Sequence, residues 1–187
     1  GKAHIDYGIK KAKLVLLWDI FLEEGRSNPK ELAKFKEDNS YWLDDFALYK
    51  ALKDNHQGAP WYEWEDKYRN RSIPQLEIFR KEHEKEIAFQ VWVQWHLYKQ
   101  FKEVKAYAQT KDIFLKGDLP FLVSRDSADV WQHQDFFKLE FAAGAPPDMY
   151  CAKGQRWGMP TYNWDRVSGD DYRYLKEKLK YAQEFYD

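Results

Sequence analysis

A change of period at Thr110 limits what this chain can fold into. Before it, apolar residues recur at helical spacing. In the segment that Pro74 opens, Ile87, Val91, Trp95 and Tyr98 make one stripe. Leu97, Phe101, Val104 and Ala108 make a neighbouring one, so the predicted helix has a face wide enough to pack on two sides. After Thr110 comes DIFLKGDLPFLV (112–123), an apolar run interrupted only by Lys116, Gly117 and Asp118. That is the character of a buried strand, clearest near 113–119. A long helix followed by a short buried strand is the beat of an α/β protein. The chain taken by itself should be mainly α-helical, with one or two short strands.

The other elements follow from punctuation. A helix is expected over Ile9 to Glu24, stopped by Gly25. Asn28 as N-cap and Pro29 as first helical residue restart the chain. A third helix begins near Ser40, which can cap it, with Asp44 and Asp45 in its first turns, and ends before Gly58 and Pro60. A last helix is expected from about Asp170 to Tyr186, with Tyr174, Leu175, Leu179 and Ala182 on one side. These divide the chain into a mainly helical part, 1–72, and a second part, 73–187, that carries the long helix, the strand, the loop and the last helix.

From Ser124 to Trp164 neither period fits. A loop of this length in a compact domain is functional or disordered, and its prolines and aromatics argue for order. Gly144, Pro146, Pro147, Gly154, Gly158 and Pro160 stiffen it; Asp148, Tyr150, Gln155 and Trp157 sit between them. Sugar rings offer apolar C–H faces and a rim of hydroxyls, so a site for them needs flat rings beside carboxylates and amides. This loop carries that set, and aromatics make up 18% of the chain, more than packing usually requires. Asp118, at a strand end, and Asp126 and Asp129, in DSADVW (126–131), are further carboxylates that a site can use. The plainer alternative stays open: Asp126 and Asp148 cap their own turns.

Composition narrows the classes. The formal net charge of −1 implies no general attraction to nucleic acid. The longest apolar run, Leu14 to Leu22, is broken by Asp19 and is too short to span a bilayer. The first residues show no signal-peptide pattern. Cys151 is the sole cysteine, which excludes an internal disulfide and fits a reducing, cytoplasmic setting. His4, His56, His83, His96 and His133 have no paired ligand spacing, so no metal site is expected.

Several segments together carry a resemblance. GDLPFLV (117–123), DSADVW (126–131), GAPPD (144–148), GQRWG (154–158) and PTYNW (160–164) occur in this order and spacing. Upstream, SYWLDDFALYKALK (40–53), Pro60–Trp61 and QVWVQW (90–95) belong to the same pattern. The sequence resembles the 4-alpha-glucanotransferases (amylomaltase, or disproportionating enzyme) of glycoside hydrolase family 77 over nearly its whole length. The resemblance implies a (β/α)8 TIM barrel that moves α-1,4-glucan from a donor to the 4-hydroxyl of an acceptor, with retention and without a cofactor. It implies that Asp148, Tyr150, Gln155 and Trp157 lie on a loop over the cleft and that Asp118 ends an early strand. It makes residues 9–70 largely a helical insertion walling the cleft, and adds Asp126 to the residues expected to meet substrate.

Met149 and Cys151–Lys153 depart from the usual pattern. No segment matches those that carry the nucleophile and the acid/base, so no catalytic residue is assigned in this chain. About 250 residues make a typical complete barrel, and this chain has 187. The expectation is a segment of a glucanotransferase, with glucan and the remaining part of the barrel as partners and a tendency to self-associate. A non-catalytic glucan-binding module and a helical interaction domain are the alternatives.

Overall fold

In the computed structural model, which describes residues 8–24 and 30–187, helices fill the first two-thirds of the chain. They are α1 (Gly8–Glu24), α2 (Lys30–Asp38), α3 (Ser40–Asn55), α4 (Asp66–Arg69), α5 (Ile73–Glu82) and α6 (Glu84–Gln109). Then come the short α7 (Ala128–Gln132), four two-residue strands, α8 (Trp164–Gly169) and α9 (Arg173–Gln183). The expected stop at Gly25 and restart at Asn28 and Pro29 lie outside the described residues. Among the described residues, no helix is long and apolar enough to cross a membrane.

Two cores form, and each draws on both sides of residue 72. In one, Phe21 of α1, Phe35 of α2 and Leu43 and Ala47 of α3 pack on Phe89, Val91, Trp92 and Trp95 of α6. In the other, Leu48 and Leu52 of α3 join Trp61, Trp64, Phe79, Val130, Trp131, Tyr162 and Tyr174. Buried indoles need an acceptor. Trp61 Nε1 donates to Arg125 O at 2.7 Å, Trp64 Nε1 to Ala59 O at 3.0 Å and Trp131 Nε1 to Tyr68 O at 3.0 Å. These bonds pin the turns between helices to the second core.

The helix ends differ from expectation. Ser40 is the first residue of α3, not its cap. The buried Asn39 holds the corner instead: its Nδ2 donates to Phe35 O at 2.9 Å and its Oδ1 accepts from Trp42 Nε1 at 3.1 Å. The segment opened by Pro74 is two helices, because His83 leaves helical geometry (φ −120°, ψ 33°) and lays its ring on Phe79 at 4.0 Å. The last helix spans 173–183 rather than 170–186; it starts late because Asp171 and Tyr172 are left-handed (φ 50° and 54°), which a helix cannot continue through.

The strand expected near 113–119 takes no ladder partner; residues 113–120 run without regular structure. A strand exists only by pairing, and here a single position begins one. Asp187 N donates to Leu115 O at 3.0 Å, and Leu115 N donates to Asp187 Oδ2 at 2.9 Å. Gly117 lies so close to the Tyr186 ring that a Cβ there would sit 2.3 Å from it. Ile113 and Phe114 are exposed, at 55% and 82%, rather than buried. The strands that do form are β1 (Phe137–Lys138), β2 (Gly144–Ala145), β3 (Gln155–Arg156) and β4 (Thr161–Tyr162).

Candidate functional site

The stiff loop of the sequence folds back on itself as one tongue. At its base β1 pairs antiparallel with β4, Phe137 opposite Tyr162. Further out β2 pairs with β3, Gly144 opposite Arg156 and Ala145 opposite Gln155. Between the ladders Ala143 N donates to Met159 O at 2.7 Å and Trp157 N to Ala143 O at 2.9 Å. Glycine is required twice: a Cβ on Gly144 would lie 2.1 Å from Gln155 O, and Gly154 has φ +72° with Ala145 O at 2.6 Å from its own missing Cβ.

Asp148 shapes the tip. Its Oδ1 accepts from Tyr150 N at 2.9 Å and from Cys151 N at 2.7 Å, as a short acidic side chain does at a turn. Cys151 Sγ donates to Gly154 O at 3.0 Å and closes the turn's other side. Met149 and Tyr150 then stand at the tip, 87% and 88% exposed. On the returning arm Trp157 Nε1 donates to Gln155 Oε1 at 3.0 Å, which joins ring and amide into one unit. Asp148, Tyr150, Gln155 and Trp157 therefore share one tongue, and Trp157 keeps 47% of its surface open.

Asp118 is exposed and lines a cleft of about 460 Å³ between α3, α6 and α9, with Leu119, Pro120, Trp42, Phe101 and Tyr181 among its walls. Asp126 lies elsewhere. Its Oδ1 accepts from Tyr49 Oη at 2.8 Å and from Trp61 N at 3.2 Å, and its Oδ2 pairs with Lys53 Nζ. Burial raises its pKa, but the bonds from Lys53, Tyr49 and Trp61 outweigh that and hold it below the ordinary carboxylate value. Asp129 likewise accepts from Tyr174 Oη at 2.8 Å, with Lys178 Nζ at 3.6 Å. Burial, reinforced by Asp129, pushes the Tyr174 phenol far up, so it stays a donor.

Sequence reasoning passed over one aromatic group. Phe121 and Trp164 are both exposed and stack on one another, ring centroids 6.0 Å apart and planes 26° from parallel, over the buried Tyr162. The signal available was an aromatic three residues beyond Asp118 and another at the end of PTYNW. Among the described residues, no group of three or more His, Cys, Asp or Glu side chains comes together to hold a metal.

The family model described as 4-alpha-glucanotransferase, glycoside hydrolase family 77, matches residues 2–187. The chain belongs to that family. A 4-alpha-glucanotransferase of Chlamydia pneumoniae is 40% identical over 87% of this chain and 30% of its own length. One from Thermus thermophilus is 34% identical over 99% of this chain and 39% of its own. Among solved structures, an amylomaltase from Streptococcus agalactiae in complex with acarbose superposes with a TM-score of 0.85 at 31% identity, covering 97% of this chain and 38% of that one. The family membership thus rests on sequence and fold together, and this chain spans roughly a third of the length of such glucanotransferases.

Proposed function

We propose that this chain is the glucan-holding part of a 4-alpha-glucanotransferase, with the tongue as a lid over bound α-1,4-glucan. The observation that carries the reading is the half-exposed Trp157 ring, fixed by its bond to Gln155 on a stiff arm. A flat apolar face with an amide at its edge suits a sugar's C–H face and hydroxyls. The amylomaltase solved with acarbose supports it through the family. Tyr150 reaches from the tip, and Asp118 sits at the mouth of the cleft to accept from hydroxyls. Asp148 and Asp126 act one step removed: the first bends the tip, the second ties Trp61 and its turn to α3.

Retaining transfer uses a carboxylate nucleophile and an acid/base about 5–5.5 Å apart. In this reading both belong to the part of the glucanotransferase barrel that this chain does not span. The chain's own work is to bind, orient and shield glucan from water, in a cytoplasmic protein. The part before residue 73 is the wall of that cleft and the rest an arc of the barrel.

The test is titration of maltoheptaose into the chain and its Trp157→Ala variant. The variant should bind about 1–3 kcal/mol more weakly, the scale for losing contact with a large apolar side chain. Unchanged affinity with a lowered melting temperature would show that Trp157 merely packs on its own tongue. In a complete enzyme, Asp148→Asn should lower turnover far less than loss of the nucleophile.

A further inference from the structure

Tyr174, buried at the start of α9, touches two parts of the molecule at once. Its ring packs on Phe136 and Phe137, with centroids 5.9 and 6.2 Å away. Those two residues are where the tongue leaves the core. Phe137 faces Tyr162 across the β1–β4 ladder with rings 5.1 Å apart, and Phe136 O accepts from Asn163 N at 2.8 Å. Both arms of the tongue are therefore rooted on what the Tyr174 ring touches.

The hydroxyl of the same residue reaches the cleft wall. It donates to Asp129 Oδ1 of α7 at 2.8 Å and accepts from Lys178 Nζ, one turn along α9, at 3.3 Å. Asp129 and Lys178 both line the cleft in which Asp118 sits. Without the hydroxyl, Lys178 would stand 3.6 Å from Asp129, beyond hydrogen-bond length. A packing tyrosine needs only an acceptor for its hydroxyl. This one also receives a lysine, so cation, phenol and carboxylate form one unit with the ring as its far end.

We propose that Tyr174 is a positioning residue that couples the cleft to the tongue: it holds the root of the tongue against α7 and α9, so that displacing Asp129 in the cleft loosens the tongue. The proposal rests on the reading of the tongue as a lid and gives that lid a fixed anchor. Tyr174 acts through Asp129 and Phe137 and touches no sugar. The coupling is reciprocal, so order in the tongue also steadies Asp129 in the cleft. A hydrogen-bonded unit joined to a closely packed ring passes displacement on, where slack packing would absorb it.

The experiment is amide hydrogen exchange on the sugar-free chain, comparing wild type with Tyr174→Phe, Asp129→Ala and Asp129→Asn. Phenylalanine keeps the ring and loses the hydroxyl. The amides of Ala143 and Trp157, bonded between the two ladders, report opening of the tongue; those of Val91, Trp92 and Trp95 in α6 report global unfolding. Tyr174→Phe and Asp129→Ala should each speed exchange of the tongue amides about tenfold, the scale of losing one hydrogen bond to a charged group, and leave α6 within about twofold of wild type. Combining the two should add little, because both remove the same bond. Asp129→Asn keeps an acceptor and should recover most of the protection. Equal speeding of tongue and α6 amides would make Tyr174 a residue of general stability and overturn the coupling; unchanged tongue amides would overturn it too. Asp129→Ala leaves the tyrosine in place, so the answer does not hang on the folding of Tyr174→Phe. Because no sugar takes part, failure of the coupling leaves the lid reading standing, whereas a wild-type chain that binds no maltoheptaose overturns the lid and with it the purpose of the anchor.

Discussion

Asp126, a candidate for the site in the sequence, is a tie between segments in the structure. It ties Tyr49 and Lys53, neighbours one turn apart on α3, to the backbone of Trp61. Asp126→Asn should destabilise the chain by about 2–3 kcal/mol, because it weakens charge-assisted bonds at a part-buried site. The pH dependence has a definite sign. The folded pKa is depressed, so the stabilisation is present above the unfolded value of about 3.9 and is lost as pH falls through the folded one. Melting curves of wild type and variant should therefore converge below about pH 4, and a gap that stays constant down to pH 2 would contradict the account. Spacing could not reveal this tie, since its partners lie 77, 73 and 65 residues away. Asp148 was legible for the opposite reason: the two amides it bonds are two and three residues on. Its turn-capping alternative, left open in the sequence, describes what its Oδ1 does.

At the scale of elements, helix existence was legible and most helix ends were not. Four helices close with a bond from an amide to the carbonyl five residues earlier: Gly58 to Lys53, Ser72 to Lys67, Ile113 to Ala108 and Tyr172 to Val167. This closure needs a left-handed residue, normally glycine. Here Gln57, Arg71, Asp112 and Asp171 fill that role, with φ between 50° and 54°. Only the first has a glycine beside it, which marks the end of α3; the end of α6 was legible from the change of period at Thr110 instead. The strain is testable at the exposed Asp112. Asp112→Gly should stabilise the chain by about 0.5–1 kcal/mol, removing the left-handed penalty at some cost in unfolded-state entropy. That corresponds to a rise of about 1–4 °C in melting temperature, and a fall would mean that Asp112 is not left-handed in solution. The tongue, by contrast, was legible as an ordered loop because its prolines and glycines are local signals. Its ladders were not, because two-residue strands have no period.

At the scale of the molecule, the mixed outcome near 113–119 is the most informative. Its apolar character was legible, but a ladder needs a neighbour, and only Leu115 finds one, in Asp187. Leu97, Val104, Ile113, Phe114 and Leu179 are exposed. On the barrel reading, further strands and helices of the glucanotransferase cover these residues, as suits a chain that matches 38% of the amylomaltase structure. The chain alone should therefore self-associate, with little repulsion from a net charge of −1. Light scattering across a dilution series checks this, and a monomer at every concentration that takes up no hydrophobic dye would contradict it. On the proposed function, the chain alone should hold α-1,4-glucan without transforming it. The direct measurement is to titrate the pure chain with maltoheptaose and then analyse the recovered sugar for length. Saturable binding with maltoheptaose returned intact is the predicted result. Shorter or longer glucans in the recovered sugar, with host glucanotransferase excluded, or no saturable binding at all, would contradict it.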